Sequence, residues 1–493
     1  MATRLAALAP RADVILVWLL LGHVVLKVLI YTLSMHAPPY NDEQQYYDGA
    51  RALSNLVRDV GSFTTPDGAE LERNVVGSGW FMPGMAIVMA PLFVVFPDAA
   101  DPLCRAYLGL ANLLLLLWAV RSVRRRLGPG YAALLVAFPA LLPGWVFMSF
   151  TSYGDLPSGL VLVVLVAHVV DMLRRFRAGE SPSLKEALQL GLLAIAVLYL
   201  RASTLIALAA LGVVTLLAAL VLLRGVPRWR ALGAAALAAT VFLVLLAPWS
   251  IAASRSLDAR VLTTTTVPIS LANTFGDRAE LCYGRCDPDS SLWFRPLRYA
   301  REVGRAAGVS EVYVEKQMSD YALRDLDRRE YARRAWWNIG SYFFLPANFV
   351  RYLTPPEGRG TAGLVGQYAL LVATYVYYLP LLLTMLISMV RIQVRSLEAQ
   401  ILDTLTKIAL LALFVQPFVH IAGARYWTTA GPLFMIAAAG FVREISLRHS
   451  GQAVVREHLN SRDAALSRWL KPIQYTLAGT FGVVLVVLGV LAI

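Results

Sequence analysis

Long apolar runs separated by short, arginine-rich connectors dominate the chain. Residues 14–33, 103–120, 156–173, 205–223 and 364–390 are each at least 18 residues of mostly Leu, Val, Ala and Ile. An α-helix needs about 17–25 such residues to cross a hydrocarbon core. Barrel strands would alternate over about ten residues, and these runs do not alternate. The pattern predicts an all-α polytopic membrane protein. Composition agrees: of 493 residues, 58% are hydrophobic and 16% charged, against about 45–50% and 25% in soluble domains. A net charge of +13 in a soluble protein would suggest nucleic acid. Here the excess lies in connectors between runs, so membrane topology accounts for it and no nucleic acid partner is expected.

Positive residues favour the inner side of a membrane. Arg4 and Arg11 precede the first run and put the N-terminus inside and Asp42 outside. Five further clusters belong inside: Arg121 with Arg124, Arg125 and Arg126; Arg174, Arg175 and Arg177; Arg224, Arg228 and Arg230; Arg391 and Arg395; and the basic stretch 443–472. All five fit only if the apolar segment 80–96 lies in the outer interface instead of crossing. This yields 11 spans, N-terminus inside and C-terminus outside. A seven-span module, 1–249, carries an outer loop, 35–102, with nine acidic residues against three arginines. An outer cap, 250–360, follows. The remainder, 361–493, has four spans and an inner amphipathic segment, 443–472. Residues 14–33 lack a small-residue cleavage site and are expected to stay as a span. No internal repeat is evident.

Ionisable groups at membrane depth ask for a function. Asp42 and Glu43 follow the first run. Asp155 follows Tyr153-Gly154 before the run 156–173. Arg201 lies between two runs. His420, Arg425 and Tyr426 share a late turn, and Arg255 follows Pro248-Trp249. Each has a blander reading: Asp42 and Asp155 as helix caps, the arginines as groups reaching to lipid headgroups. Trp80, Trp249, Trp336, Trp337 and Trp427 read as an interfacial aromatic belt. The expected topology places the acids and arginines on one side at one depth, which suits a site that holds a phosphate and removes a proton. Cys104 reads as packing. Cys282 and Cys286, in Cys-Tyr-Gly-Arg-Cys, either form a small disulfide loop or stay as thiols. Two cysteines are too few for a structural zinc site, and no metal site is expected.

Several of these segments are similar, in order, to motifs of the GT-C glycosyltransferase superfamily, closest to protein O-mannosyltransferases and the aminoarabinose transferases of lipid A. Asp42-Glu43 with Tyr46 or Tyr47 and Ala50-Arg51-Ala52-Leu53 resembles its outer-loop motif. Trp80-Phe81-Met82-Pro83-Gly84 resembles its Pro-Pro-Gly or Pro-Pro-Leu turn, with Met82 for the first Pro. Leu200-Arg201-Ala202-Ser203 resembles its Thr-Arg-Pro-Thr segment, with Ala202 for Pro. Ala247-Pro248-Trp249 and Ala424-Arg425-Tyr426 resemble its Pro-Trp and late Arg-Tyr. Ala252 and Ala253 stand where Arg-Asn is usual, and no Trp-Trp-Asp occurs.

The resemblance implies a polyprenyl-phosphate-sugar donor, inversion at the anomeric carbon, and a lipid, glycan or protein hydroxyl as acceptor. It implies Asp42 as base with Glu43 second, and Arg201, Arg425, Arg255 and His420 around the donor phosphate. Tyr46, Tyr47, Asp155 and Tyr426 would bind substrate. No obligatory cofactor or cation is expected, and the active site would face outward from a bacterial plasma membrane. The alternative, a lipid-linked-sugar transporter or flippase, would be expected to show inverted repeats and helices interrupted at mid-membrane.

Overall fold

The computed structural model describes residues 2–39, 42–287, 294–344, 361–393, 396–421, 425–449 and 461–492. Among them are 19 α-helices. The first half runs α1 (Ala2–Ser34), α2 (Asp42–Gly61), α3 (Gly68–Leu71), α4 (Gly84–Val95), α5 (Asp101–Arg126), α6 (Pro129–Ala137), α7 (Pro143–Met148), α8 (Asp155–Arg177), α9 (Leu184–Leu200), α10 (Leu205–Leu222) and α11 (Val226–Ser256). Four helices follow before residue 345: α12 (Val267–Phe275), α13 (Phe294–Ala307), α14 (Glu311–Ala322) and α15 (Arg328–Phe344). The last four are α16 (Thr361–Val390), α17 (Leu397–Leu413), α18 (Trp427–His449) and α19 (Ser461–Ala492).

Eight of the described helices are long and apolar enough to cross a bilayer: α1, α5, α8, α10, α11, α16, α17 and α19. The protein is therefore a polytopic helical membrane protein. Three other expected spans take shorter forms. α9 has only 17 residues. Segment 129–148 breaks into α6 and α7 around Pro139 and Pro143, since a proline cannot donate to the helix ladder. The apolar part of α18 covers only Trp427–Val442. Segment 80–96 forms α4, at 12 residues too short to cross. The expected inner segment 443–472 is no separate helix where described: 443–449 close α18 and 461–472 open α19, while 450–460 lie outside the described residues.

α8 forms the axis of the bundle. Its most apolar window is 94% buried, against 22% in α1 and 11% in α11, whose apolar surfaces are left for lipid. Gly159 of α8 lets it approach the backbone of Thr429 at the start of α18. α2 instead is amphipathic and lies on α4, with Tyr47 and Ala50 packed against Met85, Met89 and Phe93. That buried face stabilises α2, at about 25 cal/mol per Å² of apolar surface removed from water.

The segment 257–322 has its own small core, in which Ile269 and Ala272 of α12 meet Leu297 and Ala300 of α13 and Val314 and Met318 of α14. A disulfide joins Cys282 and Cys286 beside that core. This segment is tied to residues 78 and 79 by backbone and side chain. Thr265 donates its N–H to Gly79 O (3.0 Å) and its hydroxyl to Ser78 O (2.7 Å). Arg301 donates to Ser78 Oγ at 2.7 Å. From α15, Tyr331 donates to Phe418 O (2.8 Å) and Asn338 to Pro417 O (3.1 Å), which steadies the turn after α17. Residues 345–360 of the expected cap lie outside the described residues. The aromatic belt is only partly realised. Trp336 and Trp337 are exposed, but Trp80, Trp249 and Trp427 are buried, Trp427 against Phe138 and Tyr378.

Candidate functional site

A cavity of about 530 Å³ opens where the start of α2, the start of α8, the α9–α10 turn and residues 416–421 and 425–426 converge. Asp42 is the first residue of α2, so its carboxylate projects from the helix end. Arg425 Nη1 donates to Asp42 Oδ2 at 2.8 Å. The pair is partly open, with side chains 28% and 17% exposed for Arg425 and Asp42. The Arg425 guanidinium also lies over the rings of Tyr153 and Tyr426, at 4.3 and 4.8 Å.

Arg201 caps α9 in an extended conformation that turns its side chain out of the helix. It pairs with Asp155 and donates to Gln416 Oε1 at 2.5 Å and Ser203 Oγ at 2.8 Å. Its guanidinium is 5.0 Å from the Tyr426 ring, so one ring serves both arginines. Two glycines permit this turn. A Cβ on Gly154 would overlap the carbonyl of Leu200, and one on Gly84 would overlap that of Tyr199. The loop before α8 and the start of α4 thus press directly on the backbone preceding Arg201.

Glu43 reaches the same wall but is committed elsewhere. Its carboxylate accepts from the Ser152 N–H (3.0 Å) and from Arg105 (3.4 Å), with both side chains almost fully buried. Arg105 also donates to the carbonyls of Ala37, Pro38 and Phe150 at 2.9–3.1 Å. This fixes the chain leaving α1 against the loop before α8. Glu43 thereby braces these segments against one another. Arg105 was not among the expected site residues, although an arginine four positions into a long apolar helix is the signal that would have found it.

The two tyrosines separate. Tyr46 lines the cavity, edge-on to Phe81 at 5.2 Å, and burial followed by the charge of Asp42 pushes its phenol up. Tyr47, one position on, points into the α2–α4 core and packs on Phe93, away from the cavity. The expected substrate role for Tyr47 is therefore replaced by a core role. Adjacent residues on a helix diverge by about 100°.

His420 lines the cavity, with its ring 5.3 Å from that of Tyr426. Burial pulls its pKa down to about 4, so the ring is neutral at pH 7. Nδ1 lies 2.8 Å from Ile421 O and must carry the proton, because a carbonyl only accepts. A neutral imidazole brings no charge to a phosphate, unlike the two arginines beside it. Arg255 is exposed and does not line the cavity. α11 continues as helix through Ser256. Six residues beyond buried Trp249, Arg255 is rotated by about 240° and faces away. Asp155 and Tyr426 do line it.

The arrangement thus combines one partly open carboxylate, two guanidiniums around a shared tyrosine, and apolar walls from Phe81, Met82 and Leu200. Fold and site together define an all-helical polytopic membrane protein with a charged cavity at one end of its bundle. No protein-family model matches the chain, and no curated protein matches it in sequence.

Proposed function

We propose that this protein is an integral membrane glycosyltransferase. It would move a sugar from a polyprenyl-phosphate donor to a hydroxyl of a lipid, glycan or protein, with inversion. One observation carries the reading: Asp42, Arg425 and Arg201 share one cavity, held around Tyr426. A single displacement needs a base for the acceptor and cations for the leaving phosphate. Those are the groups present.

In the proposed step, the acceptor oxygen attacks the anomeric carbon and its proton passes to Asp42. The bond from that carbon to the phosphate oxygen breaks, and the electron pair leaves on the lipid phosphate. Arg201 and Arg425 receive that charge, since guanidinium matches phosphate oxygens two at a time. Binding the donor draws Arg425 from Asp42 toward the phosphate and frees the carboxylate to act as base. The reading gives no metal a role, because the arginines supply the positive charge.

A second, almost wholly apolar cavity of about 430 Å³ supports a lipid substrate. It lies among α8, α9, α10 and α11, and on α10 its lining starts at Leu205, one turn beyond Arg201. A phosphate at Arg201 with its chain along α10 would use both. We infer the orientation from charge. Arg105 and Asp155 mark the site end of α5 and α8, and their other ends carry Arg124, Arg125, Arg126, Arg174, Arg175 and Arg177. By the positive-inside rule those ends are inner, so the site faces outward, as from a bacterial plasma membrane toward the periplasm. On this reading α9, the α6–α7 pair and the apolar part of α18 complete eleven crossings, N-terminus inside and C-terminus outside, with 1–249 as the catalytic module and 250–360 as the cap.

The test is transfer by purified protein in lipid bilayers, with a panel of polyprenyl-phosphate sugars and mass spectrometry of released polyprenyl phosphate. Release that requires Asp42 supports the assignment. Binding of polyprenyl phosphate without release from any donor would favour lipid transport.

A further inference from the structure

Arg105 at the candidate site and Arg126 stand 21 residues apart on α5, about 32 Å of helix. At that far end lies a cavity of about 350 Å³ between α5, α8 and α9. Basic residues at helix ends are ordinary in membrane proteins, where they set orientation. Orientation needs only charge; it does not need a cavity beside an unfilled buried donor.

Three features distinguish this cavity. First, Arg121 and Arg125 line it, are exposed, and have no acidic partner among the described residues. Their neighbours do: Arg124 pairs with Asp13, Arg174 with Glu398 and Arg175 with Glu186. Second, Arg126 donates to Ser122 Oγ at 2.5 Å and to Nδ1 of His168 at 3.1 Å. Arginine cannot accept, so Nδ1 is the acceptor and the proton sits on Nε2. That Nε2–H is buried and has no partner among the described residues, and His168 is only 4% exposed. A buried donor without an acceptor costs about 1–3 kcal/mol, so it marks a place for one. Third, the other lining residues include Trp118, Val164, Leu192 and Leu193. Trp118 and Leu192 are 43% and 51% exposed on the apolar surface of the bundle.

Cations, one unfilled donor and an apolar flank that opens sideways match a phosphate joined to acyl chains. Free phosphate would use only the charged half. We propose that this cavity binds an anionic phospholipid. Its phosphate lies against Arg121, Arg125 and the His168 Nε2–H, and its acyl chains run along Trp118 and Leu192. The site is separate from the candidate catalytic cavity and independent of the reaction proposed there.

Native mass spectrometry of the full-length protein in detergent, titrated with phosphatidylglycerol or phosphatidylcholine, tests this. Phosphatidylglycerol is expected to bind about tenfold or more tightly than phosphatidylcholine, in line with the attraction each arginine adds near a phosphate. The double variant R121A/R125A should lose that preference. R228A/R230A, which removes the same charge from the exposed start of α11, should keep it. Should the double variant fail to purify, R121Q and R125Q singly are each expected to weaken phosphatidylglycerol binding about fivefold. Equal binding of the two lipids overturns the proposal, as does equal loss in R228A/R230A. Complete displacement of the lipid by millimolar inorganic phosphate would assign the cavity to free phosphate instead.

Discussion

Arg425 spans 383 residues of sequence to hold Asp42, with Nη1 2.8 Å from Oδ2. The contact joins the start of α2 to the turn before α18, so neither residue is positioned by its own segment alone. If Asp42 is the base, Asp42→Asn should lower transfer about 10²–10⁴-fold, the range for a lost general base. Donor binding, read by titration with polyprenyl phosphate, should stay within about threefold of wild type, a free-energy change under 1 kcal/mol. Undiminished transfer in this variant would remove Asp42 from the mechanism.

Arg425 and Arg201 should behave differently from Asp42. Arg201→Lys and Arg425→Lys keep the charge but lose the planar fork and its stacking on Tyr426. Each is expected to weaken polyprenyl phosphate binding as well as transfer, by about tenfold or more. Unchanged phosphate affinity in both variants would contradict their assignment to the leaving group.

Glu43 should report on folding instead of chemistry. Glu43→Gln leaves the buried guanidinium of Arg105 without its carboxylate. Breaking a buried pair costs about 3–5 kcal/mol. The lower end is expected, because three backbone carbonyls still receive Arg105. Thermal unfolding in detergent should show a clear drop in Tm, with residual transfer per folded molecule close to wild type.

Gly154 is predicted to tolerate no side chain. In Gly154→Ala the new methyl meets the Leu200 carbonyl, a backbone atom that cannot rotate aside. Overpacking of this kind costs about 1–3 kcal/mol or more, and Arg201 should shift with it. Gly212→Ala is the control: nothing lies near its Cβ within α10, and a helical Gly→Ala change gains about 0.5–1 kcal/mol. Equal Tm values for the two variants would refute the close approach.

Glu315 gives a pH dependence from the cap. It is fully buried on α14, and burial first, then Glu311, pushes its carboxyl up to about 8; the Trp80 indole and Arg301 oppose this. The unfolded chain releases that proton near the ordinary glutamate value of about 4.3. Between the two values only the folded state holds the proton, so stability falls as pH rises from about 4.3 to about 8 and is level above. Glu315→Gln lacks this loss. Its Tm should match wild type near pH 4.5 and exceed it at pH 8.5, by the equivalent of about 5 kcal/mol. An advantage that does not change with pH would show that Glu315 is not held protonated.

The sequence by itself determined that the chain is helical and embedded in a membrane, because 20-residue apolar runs have no other stable fate in water or lipid. It also marked Asp42, Asp155, Arg201, His420, Arg425 and Tyr426 as polar groups that need a reason, and all of them line one cavity. Tertiary structure decided the division of labour. Asp42 and Glu43 are neighbours with the same chemistry, yet one faces Arg425 and the other is locked to Arg105, because consecutive helical residues point about 100° apart. The same rotation sends Tyr46 to the cavity and Tyr47 to the core. Where an apolar helix ends was also a tertiary matter. α9 stops at Leu200, where Gly154 and Gly84 let two other segments press on its last carbonyls, and no hydropathy profile registers so close a backbone approach.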